Sequence, residues 1–539
     1  MRREGAGLAW SAGRILPIFR PVVELDVYDM RGAAGAELIT ASVIAGLVNR
    51  PQPRIYLLTK DDDLFWLHQA FGSIPQTISP QTGTAALHAL LSTYRSVIQG
   101  MIIYNPRLPD TINVATTMAG QQDCIIVSPE QVDTLASSYQ IAVHDDLCKY
   151  PWRSRLDMYR WAQQHLLPQS SARIIAGLNP EAFCGLRSFL VATRAFVYWL
   201  DSRQYIPAHF SDLLSERALL RQILASYAPG AVHMGWVIHE QSGVSLASEV
   251  GMTVFASDYA LNLEVWMASS LTDYTLPQFP KKRELPAVSS KVYVSFTMSD
   301  GDNIQYCQYR MRSIWNDPAR GAVPLGWTLS PLLAHAAPAL AAYYARSASV
   351  NDELIAGPSG MGYMYPSRWP QDQLEPFLHQ TGELMQSLAM TSLDILDVDA
   401  LYATGLPLLG AFSWHGMRLT NPRIQQQFAR VLADYGVQSL FNGAGLTGRP
   451  AYWKHLDQLS IYNNLGFTET VAQTVQLIKL ATLFYRRRPL CLNVYLIAWK
   501  MTPTLVQEVM QQLGDGYEYV LPSTLLSLLP AQTHPLQVP

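Results

Sequence analysis

Strand-like and helix-like segments alternate along the chain. Apolar runs bounded by turn residues predict strands in the first half at 22–28, 54–58, 101–104, 124–127, 174–177, 231–237 and 253–256. Helical spacing fills the intervals, for example at 33–48, where the pattern stops before Pro51. This rhythm predicts N-terminal α/β domains of the doubly wound type, with mostly parallel sheets and helices on both faces.

The alternation restarts at Lys291 and continues towards the end of the chain. Strands are predicted at 292–296, 325–329, 353–356, 393–398, 408–412, 439–441, 492–497 and 519–521. Because each of these strands precedes a helical stretch, we expect a C-terminal (β/α) barrel-like domain. An open doubly wound sheet has the same periodicity and stays the alternative.

A change of composition separates the two halves. Residues 271–290 contain Pro277, Pro280 and Pro286 beside the basic cluster of Lys281, Lys282 and Arg283, as is typical of an exposed linker. We therefore divide the chain into an α/β domain at 1–150, a second α/β domain at 151–270, the linker at 271–290 and the catalytic-type barrel-like domain at 291–539.

Composition argues against two classes of partner. The 39 Lys and Arg residues are balanced by 42 Asp and Glu residues, so no basic surplus is present for a phosphate backbone or an anionic membrane. We expect a soluble protein that binds neither nucleic acid nor membrane. The first 20 residues lack the apolar centre of a signal peptide, which favours the cytoplasm over secretion. The 5 cysteines form no CxxC pair, so neither a zinc site nor a disulfide framework is expected.

Polar and aromatic residues gather where the predicted C-terminal strands end, which is where parallel α/β domains place their reactive groups. The first strand is followed by Ser299-Asp300-Gly301-Asp302-Asn303, and the third by a glycine-rich loop with two tyrosines. Acids, amides and large rings at one edge favour a pocket for a sugar or another polyol. The candidates are Asp300, Asp302, Asn303, Gln305, Trp327, Tyr363, Tyr365, Asp397, Trp414, His415, Asn442 and Trp499.

Structural roles compete with this interpretation. Asp-Gly-Asp-Asn is also good turn chemistry, and loop tyrosines are often simply buried. Asp394, Asp397 and Asp399 lie close together in or just after one predicted strand, as the acids of a solvated edge do. Asp300, Asp302 and Asn303 are oxygen ligands at short spacing, but they reproduce only part of a calcium loop, so we expect no metal and no cofactor.

One motif in the glycine-rich loop resembles a known family. Residues 360–366 read GMGYMYP, which fits the pattern GxGYxYP, and with Ser299-Asp300-Gly301-Asp302-Asn303 upstream the chain resembles the GxGYxYP family of putative glycoside hydrolases. Residues 25–32, 46–50 and 113–117 are similar to the N-terminal region of that family. The resemblance implies an N-terminal α/β region of several parts, a C-terminal catalytic-type barrel and a carbohydrate substrate.

The leading hypothesis is therefore a glycosidase that uses two carboxyl groups, one protonated and one ionised. Asp300 and Asp302 are the first candidates, and Asp397 is the reserve. Asn303, Gln305 and Asn442 would bind hydroxyl groups, His415 would line the site, and the rings would stack on sugar faces. The alternatives are a non-catalytic carbohydrate-binding or assembly protein, and a metal-dependent enzyme similar to polysaccharide deacetylases. The latter requires a metal held by an Asp and two histidines; no close His pair is present downstream, and His415 and His455 keep this alternative open.

Overall fold

A computed structural model of the chain describes residues 8–11, 13–203, 215–276, 289–398, 417–418, 420–443, 451–456, 458–486 and 488–529. The chain divides into two compact units, one formed by Met1–Tyr274 with His335–Leu340 and the other by Thr275–Ala334 with Ala341–Pro539. No helix in the described part of the chain is long and apolar enough to cross a membrane.

The first unit contains three separate sheets, and the strand pairs within each are parallel. Their strands are β1 (Leu25–Asp29), β2 (Ile55–Leu58), β3 (Gln76–Thr82), β4 (Met101–Ile103), β5 (Ile125–Val127), β6 (Val143–Asp146), β7 (Ile174–Gly177), β8 (Phe196–Tyr198), β9 (Val232–Gly235) and β10 (Thr253–Ala256). The strand orders are β2-β1-β3, β5-β4-β6 and β10-β9-β7-β8. Central strands such as β7 are buried along their whole length, as parallel sheets covered on both faces require.

Helices connect these strands. They are α1 (Gly35–Asn49), α2 (Asp61–Phe71), α3 (Gly83–Tyr94), α4 (Thr111–Gln122), α5 (Val132–Tyr139), α6 (Arg155–His165), α7 (Arg187–Ala192), α8 (Glu216–Ala225), α9 (Glu240–Glu249) and α10 (Leu263–Met267). Helix α1 is buried at every position from Ile39 to Asn49, because it packs against α7 as well as against β5. A helix that is apolar all round is typical of such a central position.

The second unit is built on a ten-stranded sheet with a small two-stranded sheet beside it. The strands are β11 (Val292–Met298), β12 (Leu325–Leu329), β13 (Asp352–Ala356), β14 (Ser392–Ile395), β15 (Asp397–Val398), β16 (Met417–Arg418), β17 (Ser439–Asn442), β18 (Trp453–Leu456), β19 (Leu459–Asn463), β20 (Phe467–Thr468), β21 (Leu490–Leu496) and β22 (Tyr517–Tyr519). The helices of this part of the chain are α11 (Met311–Trp315), α12 (Leu333–Ala336), α13 (Pro338–Ser347), α14 (Gln371–Ser387), α15 (Pro422–Ala433), α16 (Val471–Phe484), α17 (Pro503–Leu513) and α18 (Pro522–Ser527). Residues His335–Leu340, which span the end of α12 and the start of α13, belong to the first unit.

The large sheet has the order β18-β19-β17-β14-β13-β12-β11-β21-β20, with β22 also on β11, and only the β18–β19 pair is antiparallel in its described part. It curls into a half-barrel. The segment after β19 returns to β21, where Leu465 N donates to Asn493 O at 2.9 Å and the Tyr462 hydroxyl donates to Cys491 O at 2.8 Å. These bonds bring distant strands of the sheet together around one interior.

The predicted α/β fold class is confirmed, including its barrel-like C-terminal part. Most predicted strands lie within a residue or two of the observed ones, and 325–329 coincides with β12. The run predicted at 393–398 is two strands, because Leu396 leaves the ladder and bonds instead to Ser359. The strand predicted at 408–412 lies outside the described residues.

Candidate active site

The loop after β11 is pressed against β12. Asp300 has a left-handed backbone with φ of 71°, which an Asp tolerates better than most residues. At Gly301 a Cβ atom would lie 1.7 Å from the Thr328 carbonyl oxygen, so only glycine fits. The Gly301 N–H donates to Thr328 Oγ1 at 3.0 Å, and its carbonyl accepts from Ser330 N at 2.9 Å. The loop therefore holds its acids in a defined position.

Asp300 connects this loop to the end of β21. Its Oδ1 accepts a 2.9 Å hydrogen bond from Trp499 Nε1, and its Oδ2 accepts from the Ser299 hydroxyl. Burial raises the pKa of Asp300, while the bonds from Ser299 and Trp499 lower it in part. Trp499 is 46% exposed, and its ring meets the Tyr306 ring edge to face with the ring centroids 5.3 Å apart. A fixed, half-exposed indole thus borders the acid.

Asp394 on β14 is fully buried in the interior of the half-barrel. Its Oδ1 accepts a 3.1 Å hydrogen bond from Asn464 Nδ2, whereas Oδ2 has no hydrogen-bond partner within the described residues. Burial raises the pKa of Asp394 to about 7, and the neighbouring polar side chains of Asn464 and Tyr495 oppose that rise. Near neutral pH this carboxyl group therefore exists in both its protonated and its ionised form.

Tyr495 on β21 lies near both Asp394 on β14 and the acids of the loop after β11. Its pKa is raised well above the usual value, first by burial and then by the charges of Asp394, Asp300 and Asp302, in that order. Since such charge effects weaken with distance, the three carboxyl groups lie near enough to this phenol for their charges to act on it. In the register of the two strands Tyr495 pairs with Thr297, which is two residues before Ser299, where the loop that carries Asp300 and Asp302 begins.

The interior beside Asp394 is lined by buried amides. Asn493 Nδ2 donates to Asn464 Oδ1 at 2.7 Å. Asn493 Oδ1 accepts from Ser295 Oγ at 2.7 Å and from Thr297 Oγ1 at 3.2 Å. Every one of these side chains is buried, and the bonds join β11, β21 and the segment after β19 to the acid on β14.

The glycine-rich loop packs its tyrosines into the protein. Tyr363 and Tyr365 are buried, their hydroxyl groups are 3.1 Å apart, and their rings meet edge to face. The start of the loop is tied to the strand that bears Asp394, since Ser359 Oγ donates to Leu396 O at 2.8 Å. At its other end Ser367 Oγ donates to Asp397 Oδ1 at 2.6 Å. This arrangement favours a supporting role for both tyrosines and for Asp397.

The remaining candidates lie in different surroundings. Trp327 is buried, donates from Nε1 to Asp352 Oδ1 at 2.9 Å and packs against Trp315, as a core residue does. The Asn303 side chain accepts from Tyr306 N at 2.9 Å, where the next helical segment begins. Asn442 accepts from Thr420 N at 3.2 Å, and Gln305 is buried. Trp414 and His415 lie outside the described residues.

Four residues around Asp394 were not among the site residues predicted from the sequence: Asp394 itself, Asn464, Asn493 and Tyr495. Asp394 had a signal, since it shares a predicted strand with Asp397, but neighbouring acids in one strand are equally typical of a solvated edge. The other three carry no local motif. Asn464 is 70 positions from Asp394 and 29 from Asn493, so only the curl of the sheet brings them together. Within the described residues, no three His, Cys, Asp or Glu side chains form a group that could hold a metal ion.

Comparison with solved structures supports the fold. A crystal structure of a putative hydrolase from Bacteroides thetaiotaomicron matches with a TM-score of 0.77 at 21% identity, over 97% of this chain and 98% of that one. A putative polysaccharide deacetylase from Mycobacterium smegmatis matches with a TM-score of 0.28 at 14% identity, over 45% of this chain and 94% of that one. This score is too low to show a shared fold. No curated protein matches the sequence.

Comparison with family models covers nearly the whole described chain. The first, second and third GxGYxYP N-terminal domains match residues 24–96, 98–170 and 172–268. The GxGYxYP putative glycoside hydrolase C-terminal domain matches residues 290–529, which include the loop after β11 and Asp394. With all four domain models matched in order, the chain belongs to the GxGYxYP family of putative glycoside hydrolases.

Proposed function

We propose that this protein hydrolyses a glycosidic bond, with Asp394 as the proton donor and Asp302 as the ionised partner. The family description supports the reaction class and a carbohydrate substrate. The observation that carries the residue assignment is the pair of unlike environments around Tyr495. One acid is buried in the half-barrel with its pKa raised to about 7, and the other acids lie on the loop after β11. Acids held in different environments are what acid–base catalysis at neutral pH requires.

Asp394 is suited to donate a proton. A general acid works best when its pKa lies near the working pH, so that it is protonated often enough and still releases the proton readily. Burial brings the pKa of Asp394 to this range. Its Oδ2, which lacks a hydrogen-bond partner within the described residues, is the oxygen from which a proton would pass to the leaving group.

Asp302 is the better partner among the remaining acids. Both oxygens of Asp300 are engaged, by Ser299 and by Trp499, which suits a residue that holds the indole in place. Asp397 holds the end of the glycine-rich loop through Ser367. Asp302 is 9% exposed on the loop after β11, and its charge acts on Tyr495, as the charge of Asp394 does.

The reaction then follows the chemistry of paired carboxyl groups. Asp394 protonates the oxygen of the departing sugar while the Asp302 carboxylate attacks the anomeric carbon or activates a water molecule that does so. Asp394 becomes ionised as the bond breaks, and in the second half of a two-step reaction it takes the proton from the incoming water. The exposed face of Trp499 provides a surface on which a sugar ring can stack.

The test is hydrolysis of chromogenic glycosides and glycan mixtures by the parent and by Asp394→Asn, Asp302→Asn and Asp300→Asn. We expect the first two variants to lose on the order of 10²–10⁴ in turnover with their melting temperatures nearly kept, because only the charge and the proton are removed. The third should lose less. Glu264→Gln is the matched control, since Glu264 is a buried acid of the first unit whose pKa is also raised to about 7.

Two results would contradict the proposal. One is a folded parent protein that hydrolyses none of the glycosides or glycans. The other is full parental turnover in Asp394→Asn or Asp302→Asn. Loss of activity in Glu264→Gln to the same degree would show that the assay responds to any buried acid and not to this site.

A further inference from the structure

A continuous chain of hydrogen bonds crosses the interior of the half-barrel and ends on Asp394. It begins at the hydroxyl groups of Ser295 and Thr297, which donate to Asn493 Oδ1. It continues from Asn493 Nδ2 to Asn464 Oδ1 at 2.7 Å, and from Asn464 Nδ2 to Asp394 Oδ1 at 3.1 Å. None of these side chains is more than 2% exposed, so bulk water does not replace the bonds.

The direction of this chain is set by its charged end. An ionised carboxyl group only accepts hydrogen bonds, so Asn464 has to present its Nδ2 to Asp394 and its Oδ1 to Asn493. Asn493 in turn presents Nδ2 to Asn464 and Oδ1 to the hydroxyl groups of Ser295 and Thr297, which rotate freely enough to donate. The observed orientation therefore suits the ionised Asp394 without any rearrangement.

The same orientation distinguishes the two oxygens of Asp394 when it is protonated. Oδ1 faces an N–H donor, and a proton on that oxygen would oppose the Asn464 N–H. Oδ2 has no hydrogen-bond partner within the described residues. We propose that Asn464 and Asn493 are positioning residues, which keep Oδ1 of Asp394 occupied and so direct its transferable proton to Oδ2. This inference rests on the proposed role of Asp394 as proton donor.

Other titratable groups face this region, and of these Tyr495 acts on Asp394 itself. Tyr495 approaches from β21, and Asp300 and Asp302 approach from the loop after β11. Tyr495 and Asn464 both lower the pKa of Asp394, against the larger effect of burial. Loss of the Asn464 donor should therefore raise the pKa of Asp394, since the ionised form loses a stabilising bond.

The first measurement uses the unaltered protein and does not need activity. With asparagine side chains labelled with ¹⁵N and aspartate carboxyl groups labelled with ¹³C, NMR would follow both during a pH titration. We expect the Asn464 and Asn493 amide signals to shift with the same midpoint as the Asp394 carboxyl signal, which is identified by its absence in Asp394→Asn. Amide signals that do not move as Asp394 titrates would overturn the proposal.

The second measurement uses variants. Asn464→Ala should raise the Asp394 midpoint by about 1 pH unit, and Asn493→Ala should raise it by less, because it acts one bond further away. Asn113→Ala is the control, since Asn113 is an equally buried asparagine of the first unit and bonds to Leu178 and Tyr159. Should Asn464→Ala fail to fold, Asn493→Ala and the titration of the parent protein still decide the question.

Activity separates this inference from the proposed function. If the protein hydrolyses glycosides, the fall of turnover at high pH should move upward with the Asp394 midpoint in both variants. If it hydrolyses none, the proposed function fails, while the carboxyl and amide titrations still test whether Asn464 and Asn493 position the proton of Asp394. Equal Asp394 midpoints in the parent, Asn464→Ala and Asn113→Ala would overturn the positioning role of Asn464 even in an active enzyme.

Discussion

The indole N–H of Trp499 donates a 2.9 Å hydrogen bond to Asp300, so that an exposed ring is held by a mostly buried acid. This bond explains how a tryptophan that is 46% exposed can keep one orientation at the end of β21. The rings of Trp499 and Tyr306 meet edge to face, and nearly half of the Trp499 surface stays open to solvent. In the proposed enzyme, Asp300 serves mainly to hold this platform.

Trp499 is the first test of that arrangement. Trp499→Ala should weaken binding of the glycan substrate by roughly 1–3 kcal/mol, as the loss of a large aromatic side chain does at a recognition site. Trp499→Phe keeps a ring but not the N–H, so it should lose less affinity. Isothermal titration calorimetry would measure both, with Trp152→Ala in the first unit as the control. Unchanged affinity in the Ala variant would remove Trp499 from the site.

The pH dependence of turnover is the second test. Asp394 has to be protonated to act as an acid, and burial raises its pKa to about 7. Turnover should therefore be present below this value and fall above it, by about tenfold per pH unit at the limit. Initial rates from pH 5 to pH 9 would measure the fall. A rate that keeps rising through pH 8 would contradict the assignment of Asp394 as the acid.

Gly301→Ala is the third test, and it concerns the shape of the loop after β11. The added Cβ would lie 1.7 Å from Thr328 O, so the loop would have to move off β12. We expect a loss of stability above about 4 kcal/mol or no folded protein, as is typical of severe steric conflict. Gly516→Ala is the matched control, because no atom lies within 4 Å of its added Cβ. Thermal melts would compare the two variants.

The buried tyrosines of the glycine-rich loop are the fourth test. Tyr365→Phe removes one of two hydroxyl groups that lie 3.1 Å apart and should cost roughly 0.5–1.5 kcal/mol of stability. Tyr365→Ala leaves a cavity and should cost roughly 3–5 kcal/mol. Urea denaturation would measure both. If Tyr365→Ala were as stable as the parent and failed only to bind glycan, the supporting role would be wrong.

Glu264 is the fifth test, in the first unit. Burial raises its pKa to about 7 from the ordinary 4.5, so the folded state keeps a proton that the unfolded state has lost between these values. Stability is therefore lost as the pH rises through this window, and Glu264→Gln does not share the loss. The variant should gain up to about 3 kcal/mol on the parent between pH 4 and pH 8. Melting temperatures at both pH values would show this gain, and a constant difference would contradict it.

The sequence predicts strands well and side-chain directions poorly. Apolar runs such as β12 and β21 are continuous and buried, so their periodicity is easily recognised. Several observed strands were not predicted, among them β3, β6, β8, β18, β19 and β20. In β19, Leu459–Asn463 is short and partly polar, so its apolar signal is weak. Tyr363 and Tyr365 follow glycines in a loop, and nothing in the local sequence indicates that both rings turn inward.

The surroundings of the acidic side chains are also poorly predicted from the sequence. The sequence predicts that Asp300 and Asp302 follow a strand, and they do. It does not predict that Asp394 bonds to Asn464 while Asp397 bonds to Ser367, since both partners come from other parts of the chain and the strand breaks at Leu396. That break depends on Ser359, which lies 37 positions away in the chain.

The ties at the two ends of the glycine-rich loop have a consequence for how the family is recognised. Ser359 and Ser367 fasten the loop to the stretch from Asp394 to Asp397, so the GxGYxYP letters describe a brace for the strand that carries the proposed acid. A brace and the group it supports can change independently. A family member could keep the GxGYxYP motif and its fold after replacing Asp394, and would then lose turnover. The residue at the position of Asp394 would therefore distinguish active family members from inactive ones.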